Sequence, residues 1–180
     1  MRVIAGRFRG RALLSPKGVR IRPTSDRARE ALFDLLEHGE PPLRGARFAD
    51  LFCGTGAVGI EACSRGAAEV MLIDNDPEAL RLAEANLERI GAPANVRLLP
   101  GDASRLGPAR GKFDLAFLDP PYRSGLAPAA LAGLRHGWLA HGARIVVELG
   151  AKEPFEPPEG FILEQERRYG AARFVLLRPG

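Results

Sequence analysis

Four consecutive residues have the clearest capacity for chemistry: Asp119-Pro120-Pro121-Tyr122, set directly behind the apolar run Phe113-Asp114-Leu115-Ala116-Phe117-Leu118. Paired prolines stiffen the backbone and withdraw two N–H donors, so carbonyl oxygens are left pointing in a fixed direction. An acid, a fixed carbonyl and a flat ring together suit an aryl amine. Such an amine is a poor nucleophile because its lone pair is delocalised into its own ring. Hydrogen bonds from it to Asp119 and to a proline-region carbonyl favour a pyramidal nitrogen. Tyr122 offers a surface on which a base taken out of its helix can stack. Standing alone, Pro-Pro after a strand means only a rigid turn, so the rest of the chain has to decide.

A second constellation lies upstream. Asp50-Leu51-Phe52-Cys53-Gly54-Thr55-Gly56-Ala57 follows an apolar run and precedes a helical one, and Gly54-x-Gly56-x-x-Gly59 formally matches GxGxxG. Glycines at such a turn let backbone approach a ligand closely. Asp74 ends the next apolar run at the interval expected of a ribose-binding acid. Asp102, with Ala103 behind it, follows a third run and could meet an adenine edge. Asp76 reads instead as a helix cap. A dinucleotide would use the same pattern, but Asp50 opposes it, since an acid beside the turn repels a pyrophosphate. Asp50 suits a ligand with a positive amino or sulfonium group, and S-adenosylmethionine is one. No metal is required, because a sulfonium methyl is already activated. Cys53 lies inside the turn, which disfavours it as a nucleophile.

The elements that must position these residues follow an alternating pattern. Strands are predicted over 47–52, 70–73, 96–99, 113–118 and 143–149, with helices over 57–65, from Asp76-Pro77 to Gly91, and within 125–139. The second helix has the apolar stripe Leu80, Ala83, Leu87 and Ile90. Residues 161–168 and 172–177 form a hairpin about Tyr169-Gly170-Ala171. Before the alternation come a short hairpin, 2–5 with 11–14, and a helix capped by Thr24 or Ser25. This is a single α/β domain over 1–180, with a basic extension over 1–40 and a core over 45–180. His38, His136 and His141 fall at helix ends or in loops.

The chain has 180 residues, 46% hydrophobic and 27% charged, as an ordinary globular domain does. No apolar run is long enough for a membrane span, and the N-terminus carries charge too early for a signal peptide, so a cytoplasmic protein is expected. Two cysteines, Cys53 and Cys63, supply neither a zinc set nor a cytosolic disulfide. The whole chain carries +4, yet residues 1–29 hold nine basic residues against one acid, Asp26, so the remaining 151 residues carry about −4. That asymmetry points to a phosphate-rich partner for the N-terminal face, with Arg7, Arg9, Arg11, Arg22, Arg27 and Arg29 as the candidate contacts.

Asp119-Pro120-Pro121-Tyr122 matches the (Asn/Asp)-Pro-Pro-(Tyr/Phe) motif of amino-methyltransferases. The chain as a whole resembles the bacterial 16S rRNA guanine-N2-methyltransferase family, RsmD. The resemblance runs through Arg2-Val3-Ile4-Ala5-Gly6, Arg9-Gly10-Arg11, the segment from Arg22-Pro23-Thr24-Ser25-Asp26 to Glu30, the glycine turn, and Asp119 to Arg123. It implies a class I methyltransferase fold, Rossmann-like, with a seven-stranded sheet and one antiparallel strand. It also implies methylation of a guanine 2-amino group in 16S rRNA, on the small subunit or an assembly intermediate. By matching position, Asp50, Phe52, Gly54, Gly56, Asp74, Asp102 and Ala103 would hold S-adenosylmethionine, and Asp119, Pro120, Pro121 and Tyr122 the guanine. Residues 22–30, Thr24 included, would lie over the methionine end of the cofactor and beside the RNA. Asp74 stands where the family has Glu as often, and has a shorter reach. The four-residue motif also serves DNA adenine and protein-glutamine methyltransferases. The former usually need an added recognition element, for which no segment here is large enough; the latter suit the basic N-terminus less well. A non-catalytic RNA-binding module is opposed by the intact turn and motif. A small domain with one RNA face is expected to act as a monomer.

Overall fold

The computed structural model describes residues 1–16 and 25–180. Helix α1, Asp26–Glu37, is capped by Ser25, whose hydroxyl accepts the backbone N–H of Ala28 at 3.1 Å. Thr24, the other capping candidate, and Arg22 lie outside the described residues. Then follow β1 (Arg47–Leu51), α2 (Ala57–Ser64), β2 (Glu69–Asp74), α3 (Pro77–Arg89) and β3 (Val96–Pro100). After a short 3₁₀ turn at Ala103–Arg105 come β4 (Phe113–Leu118), α4 (Leu126–Leu134), β5 (Leu139–Gly150), β6 (Phe161–Tyr169) and β7 (Ala172–Pro179).

One seven-stranded sheet has the order β3-β2-β1-β4-β5-β7-β6. The first five strands in that row pair in parallel, and β7 runs antiparallel to both β5 and β6. This is the seven-stranded sheet with one antiparallel strand that the resemblance implies. Order reverses between β1 and β4, so the crevice beyond their carboxyl ends is the natural ligand site of an open α/β sheet.

The core explains why the central strands read as unbroken apolar runs: both faces are covered. Alternate residues divide between two clusters. Phe48, Leu115, Phe117, Val146 and Phe174 pack with Leu32, Phe33 and Leu36 of α1 on one face. Ala49, Leu51, Ala116, Leu118, Ile145 and Val147 pack with Ala130, Leu131 and Leu134 of α4 on the other. Every residue of α2 is buried, which is why it shows no amphipathic stripe. The buried face of α3 is Ala79, Ala83 and Asn86, with Ile90 at its end, while Leu80 and Leu87 are only half-buried.

Two expectations are corrected in detail. Strand β5 begins four residues earlier than the apolar run suggests, so the exposed His141 lies in a strand rather than a loop. The N-terminal hairpin is reduced to one antiparallel bridge, Arg2 with Ala12, supported by turn hydrogen bonds such as Gly10 N–H to Val3 O at 2.9 Å. Its stability comes from docking. Buried Glu61 of α2 accepts the backbone N–H groups of Ile4 and Ala5 at 2.8 and 2.9 Å, and Asn86 of α3 accepts that of Leu14 at 2.6 Å. Gly6 is required where the segment crosses α2. At φ +79° it sits so close that a Cβ would fall 1.9 Å from the Ser64 carbonyl oxygen.

Candidate functional site

At the carboxyl ends of the strands lies a cavity of about 560 Å³, within the usual range for small-ligand sites. Its wall brings together Asp50, Phe52, Gly54, Asp74, Asp102, Asp119, Pro120, Pro121 and Tyr122. Both constellations of the sequence therefore open into one space. Of the remaining cofactor candidates among the described residues, Gly56 and Ala103 do not line it. Gly56, at φ +75°, is packed instead, with its absent Cβ 3.2 Å from Leu72 Cδ1 and 3.4 Å from Ala83 Cβ. Ala103 is buried in the core on the far face.

Strand β1 delivers the glycine turn and α2 carries it away. Phe52 takes a positive φ of 62°, a conformation costly for a non-glycine residue, and Gly54 and Gly56 continue at 53° and 75°. Gly56 N–H closes the turn on Cys53 O at 2.8 Å. Gly59 fixes the distance between α2 and the sheet. A Cβ there would lie 2.1 Å from Leu72 Cδ2 and 3.0 Å from Val70 Cγ1, with Asp50 Oδ2 at 3.3 Å. Gly59→Ala is expected to destabilise the protein by about 1–3 kcal/mol through overpacking, read as a drop in Tm.

The three acids of this half differ in environment. Asp50, 1% exposed, accepts Gly59 N–H at 2.9 Å. Burial pushes its carboxyl up to about 8; the Gly59 hydrogen bond opposes the rise and the nearby Asp74 charge adds to it. Asp74 accepts Gly54 N–H at 2.8 Å on one oxygen and Asp76 N–H at 2.9 Å on the other. Its short side chain is thus tied to the glycine turn and held at the cavity edge. Asp102 accepts the hydroxyl and backbone N–H of Ser104 at 2.6 and 2.9 Å. Those bonds, aided by Arg105, hold its carboxyl below the ordinary value despite a small opposing cost of burial. Asp76 is the N-cap of α3, accepting Glu78 N–H at 2.9 Å.

Cys53 also lines the cavity. Burial, with the Asp50 and Asp74 charges, pushes its thiol well above the ordinary value, so it is no thiolate nucleophile.

Beyond β4, Asp119 N–H reaches back to Leu51 O at 3.3 Å, which ties the motif to the end of β1. Ser124 N–H takes the Pro121 carbonyl at 3.1 Å, so Pro120 carries the candidate carbonyl for an amine. Tyr122 is 40% exposed, as a stacking platform needs to be. The loop that follows is clamped from a distance. Glu153 accepts Arg123 N–H at 3.0 Å, where φ is +57°, and Gly150 N–H at 3.2 Å.

Other wall residues come from outside the two constellations. Ser25, the cap of α1, and Ala28 within it come from the 22–30 segment, whereas Glu148 of β5 and Tyr169 of β6 belong to no local motif. Of these last two, only Glu148 leaves a trace in the sequence, as an acid within the buried run Ile145-Val146-Val147-Glu148-Leu149.

The candidate RNA contacts divide. Arg7, Arg9, Arg11 and Arg27 are exposed. The Arg7 guanidinium lies 4.5 Å over the Phe8 ring and donates to Asn95 Oδ1 at 3.2 Å, while Arg11 donates to Arg89 O at 3.3 Å. Arg29 is a correction. It is 0% exposed, paired with Asp26 at 2.9 Å and bonded to the Arg2 carbonyl, so it joins α1 to the N-terminal segment rather than meeting a phosphate. Helical periodicity explains this: Arg29 shares the inner face of α1 with Leu32, Phe33 and Leu36, whereas Arg27 faces out.

The donor set fits S-adenosylmethionine. A buried carboxylate costly to ionise calls for a cation, an edge acid beside the glycine turn can accept ribose hydroxyls, and an ionised acid just beyond the third strand can accept an adenine amine. Residues 1–178 match the family model described as Conserved hypothetical protein 95. The chain is 35% identical over 179 residues to ribosomal RNA small subunit methyltransferase D of Escherichia coli K12, covering 98% of this chain and 88% of that protein. It is 32% identical over 181 residues to the protein of the same name in Haemophilus influenzae, covering 98% and 92%. The solved structure of Escherichia coli yhhF superposes with a TM-score of 0.84 at 35% identity, over 99% of this chain and 97% of that one. On matches of this length the chain belongs to the Conserved hypothetical protein 95 family, that of the ribosomal RNA small subunit methyltransferase D proteins.

Proposed function

We propose that this protein transfers a methyl group from S-adenosylmethionine to the 2-amino group of a guanine in 16S rRNA of the small ribosomal subunit. Methyl transfer to small-subunit rRNA follows its family; the guanine amine is our reading of the site. The observation that carries it is the single cavity into which both the glycine turn and Asp119-Pro120-Pro121-Tyr122 open.

The cofactor, when bound, supplies an electrophilic methyl group on a sulfonium. Asp50 would neutralise its amino group, Asp74 hold its ribose and Asp102 meet its adenine, with Phe52 and Gly54 shaping the wall. Asp119 and the Pro120 carbonyl accept hydrogen bonds from the guanine amine, which turns its lone pair out of the ring. Asp119 would also take the proton that the amine sheds. Tyr122 stacks on the base. The remaining work of the protein is positioning.

The RNA would run across the N-terminal face. Arg27 sits in the first turn of α1 beside Ser25 and Ala28, at the cavity wall. The hairpin turn with Arg7 and Arg9 docks on Ser64, at the end of α2 away from the glycine turn, about 12 Å along the eight-residue helix. Phosphate contacts along this face make binding salt-dependent. The slope of log K against log salt is expected to shrink by about 2 when Arg9 and Arg27 are both replaced by alanine. An unchanged slope in filter binding would leave that face only solvated.

No helix among the described residues is long and apolar enough to cross a membrane. A cytoplasmic monomer is the form we propose. The deciding experiment is transfer of labelled methyl from S-adenosylmethionine to unmodified small subunits, naked 16S rRNA, tRNA and duplex DNA, followed by nucleoside analysis. Labelled 2-methylguanosine from a ribosomal acceptor is expected. Label in DNA adenine would overturn the substrate reading.

A further inference from the structure

The cavity has two halves. Acids at the ends of β1, β2 and β3 occupy one; the other is built from β4, β5 and β6, around Asp119, Glu148 and Tyr169. Glu148 is 4% exposed, yet its residue lines the cavity. The register explains how. Leu118 pairs with Val147 and turns into the α4 face, so by strand alternation Glu148 shares the opposite face with Phe117 and Val146. Asp119 follows Leu118 directly, so the two acids leave adjacent strands side by side. Across β5, Glu148 is in register with Phe174, and the Phe174 ring lies 5.6 Å from that of Tyr169. Glu148 thus stands between the proline motif and a second aromatic wall.

The Watson–Crick edge of guanine presents neighbouring donors, N1–H and the 2-amino group. With the amine directed at Asp119 and Pro120, the adjacent N1–H needs an acceptor of its own. We infer that Glu148 reads the guanine by accepting its N1–H, and so determines which base the site admits; this rests on the guanine-amine reading above. A carboxylate has about four acceptor sites, so it can serve the base and a protein neighbour together. Adenine, whose N1 is an acceptor, would set a lone pair against the carboxylate, and a site built to hydrogen-bond one edge rejects the other strongly.

Glu148→Gln tests this at constant shape. The substrates are rRNA carrying guanine, or 2-aminopurine in its place, at the position that nucleoside analysis maps. 2-Aminopurine keeps the 2-amino group and lacks N1–H. Wild type should favour guanine by roughly 10- to 100-fold in kcat/KM, the scale of one good base-edge contact. In Glu148→Gln the guanine rate should fall by a similar factor. The 2-aminopurine rate should hold or rise, because the amide N–H₂ can donate to N1. Affinity for S-adenosylmethionine should be unchanged. If the variant keeps the wild-type preference for guanine, or loses activity on both bases equally, Glu148 does not read N1–H while the guanine reading survives. If the wild-type enzyme makes no 2-methylguanosine, it is the guanine reading that fails.

Discussion

Asp119→Ala is expected to lower turnover by roughly 10²–10³ while leaving S-adenosylmethionine affinity within a few-fold of wild type, the scale of losing one oriented group that acts on the reacting atoms. The separation of effects follows from geometry. Asp119 leaves the end of β4, whereas the cofactor acids leave β1, β2 and the loop after β3, so the substitution removes an acceptor from the amine without touching the glycine turn. The backbone of the motif keeps its place, because Asp119 N–H still bonds Leu51 O and Glu153 still holds the N–H of Arg123. Single-turnover kinetics beside calorimetric titration of the cofactor would measure both quantities. Near-normal turnover in the variant would remove Asp119 from the chemistry.

Asp50→Asn is expected to weaken S-adenosylmethionine binding by on the order of 10²–10³-fold, as expected when one partner of a buried ion pair is lost. The same residue makes wild-type binding pH-dependent. With its carboxyl at about 8, Asp50 is largely protonated at neutral pH in the ligand-free protein, and a cationic ligand must displace that proton. Affinity should rise by up to about tenfold per pH unit towards 8, then flatten as an α-amino group itself begins to lose its proton near 8. Titrations at pH 6, 7 and 8 would show this; a flat affinity over that range would sink it.

The stability effect of Asp50 on the ligand-free protein runs the other way. A carboxyl raised from 3.8 to about 8 contributes stability that is full below 3.8 and is lost as pH rises through about 8. The variant cannot ionise, so its Tm advantage over wild type should widen from pH 5 to pH 9. One substitution therefore stabilises the empty protein at alkaline pH and disables it as a binder, as expected of a residue kept for its ligand rather than its fold.

Glu153 and Glu148 are absent from any motif for different reasons. Glu153 sits in a Pro- and Glu-rich loop where an acid is unremarkable, and only the return of that loop beneath Arg123 makes it a clamp. Glu148 is an anomaly in a buried run, but the sequence does not say which cavity it faces. That depends on β5 lying beside β4 in a particular register. Arg29 shows the opposite error. Charge counting along the N-terminal segment treats every arginine as surface, and the turn of α1 takes one of them inside.

The sequence by itself determined the alternation of strands and helices, the glycine turn with Asp50 before it, Asp74 at the end of the second strand, and the rigid Asp119-Pro120-Pro121-Tyr122 step. All of these rest on local causes: hydrophobic period, capping, φ restriction and positive φ act within a few residues. Only the tertiary structure decided that the two motifs share one cavity, that Glu148 and Tyr169 form its far wall, that Gly56 packs rather than lines, and that Arg29 is buried. Those facts depend on strand order, register and helix docking, which are set by contacts between residues far apart in the chain. A local pattern carries no record of which distant surface it will meet.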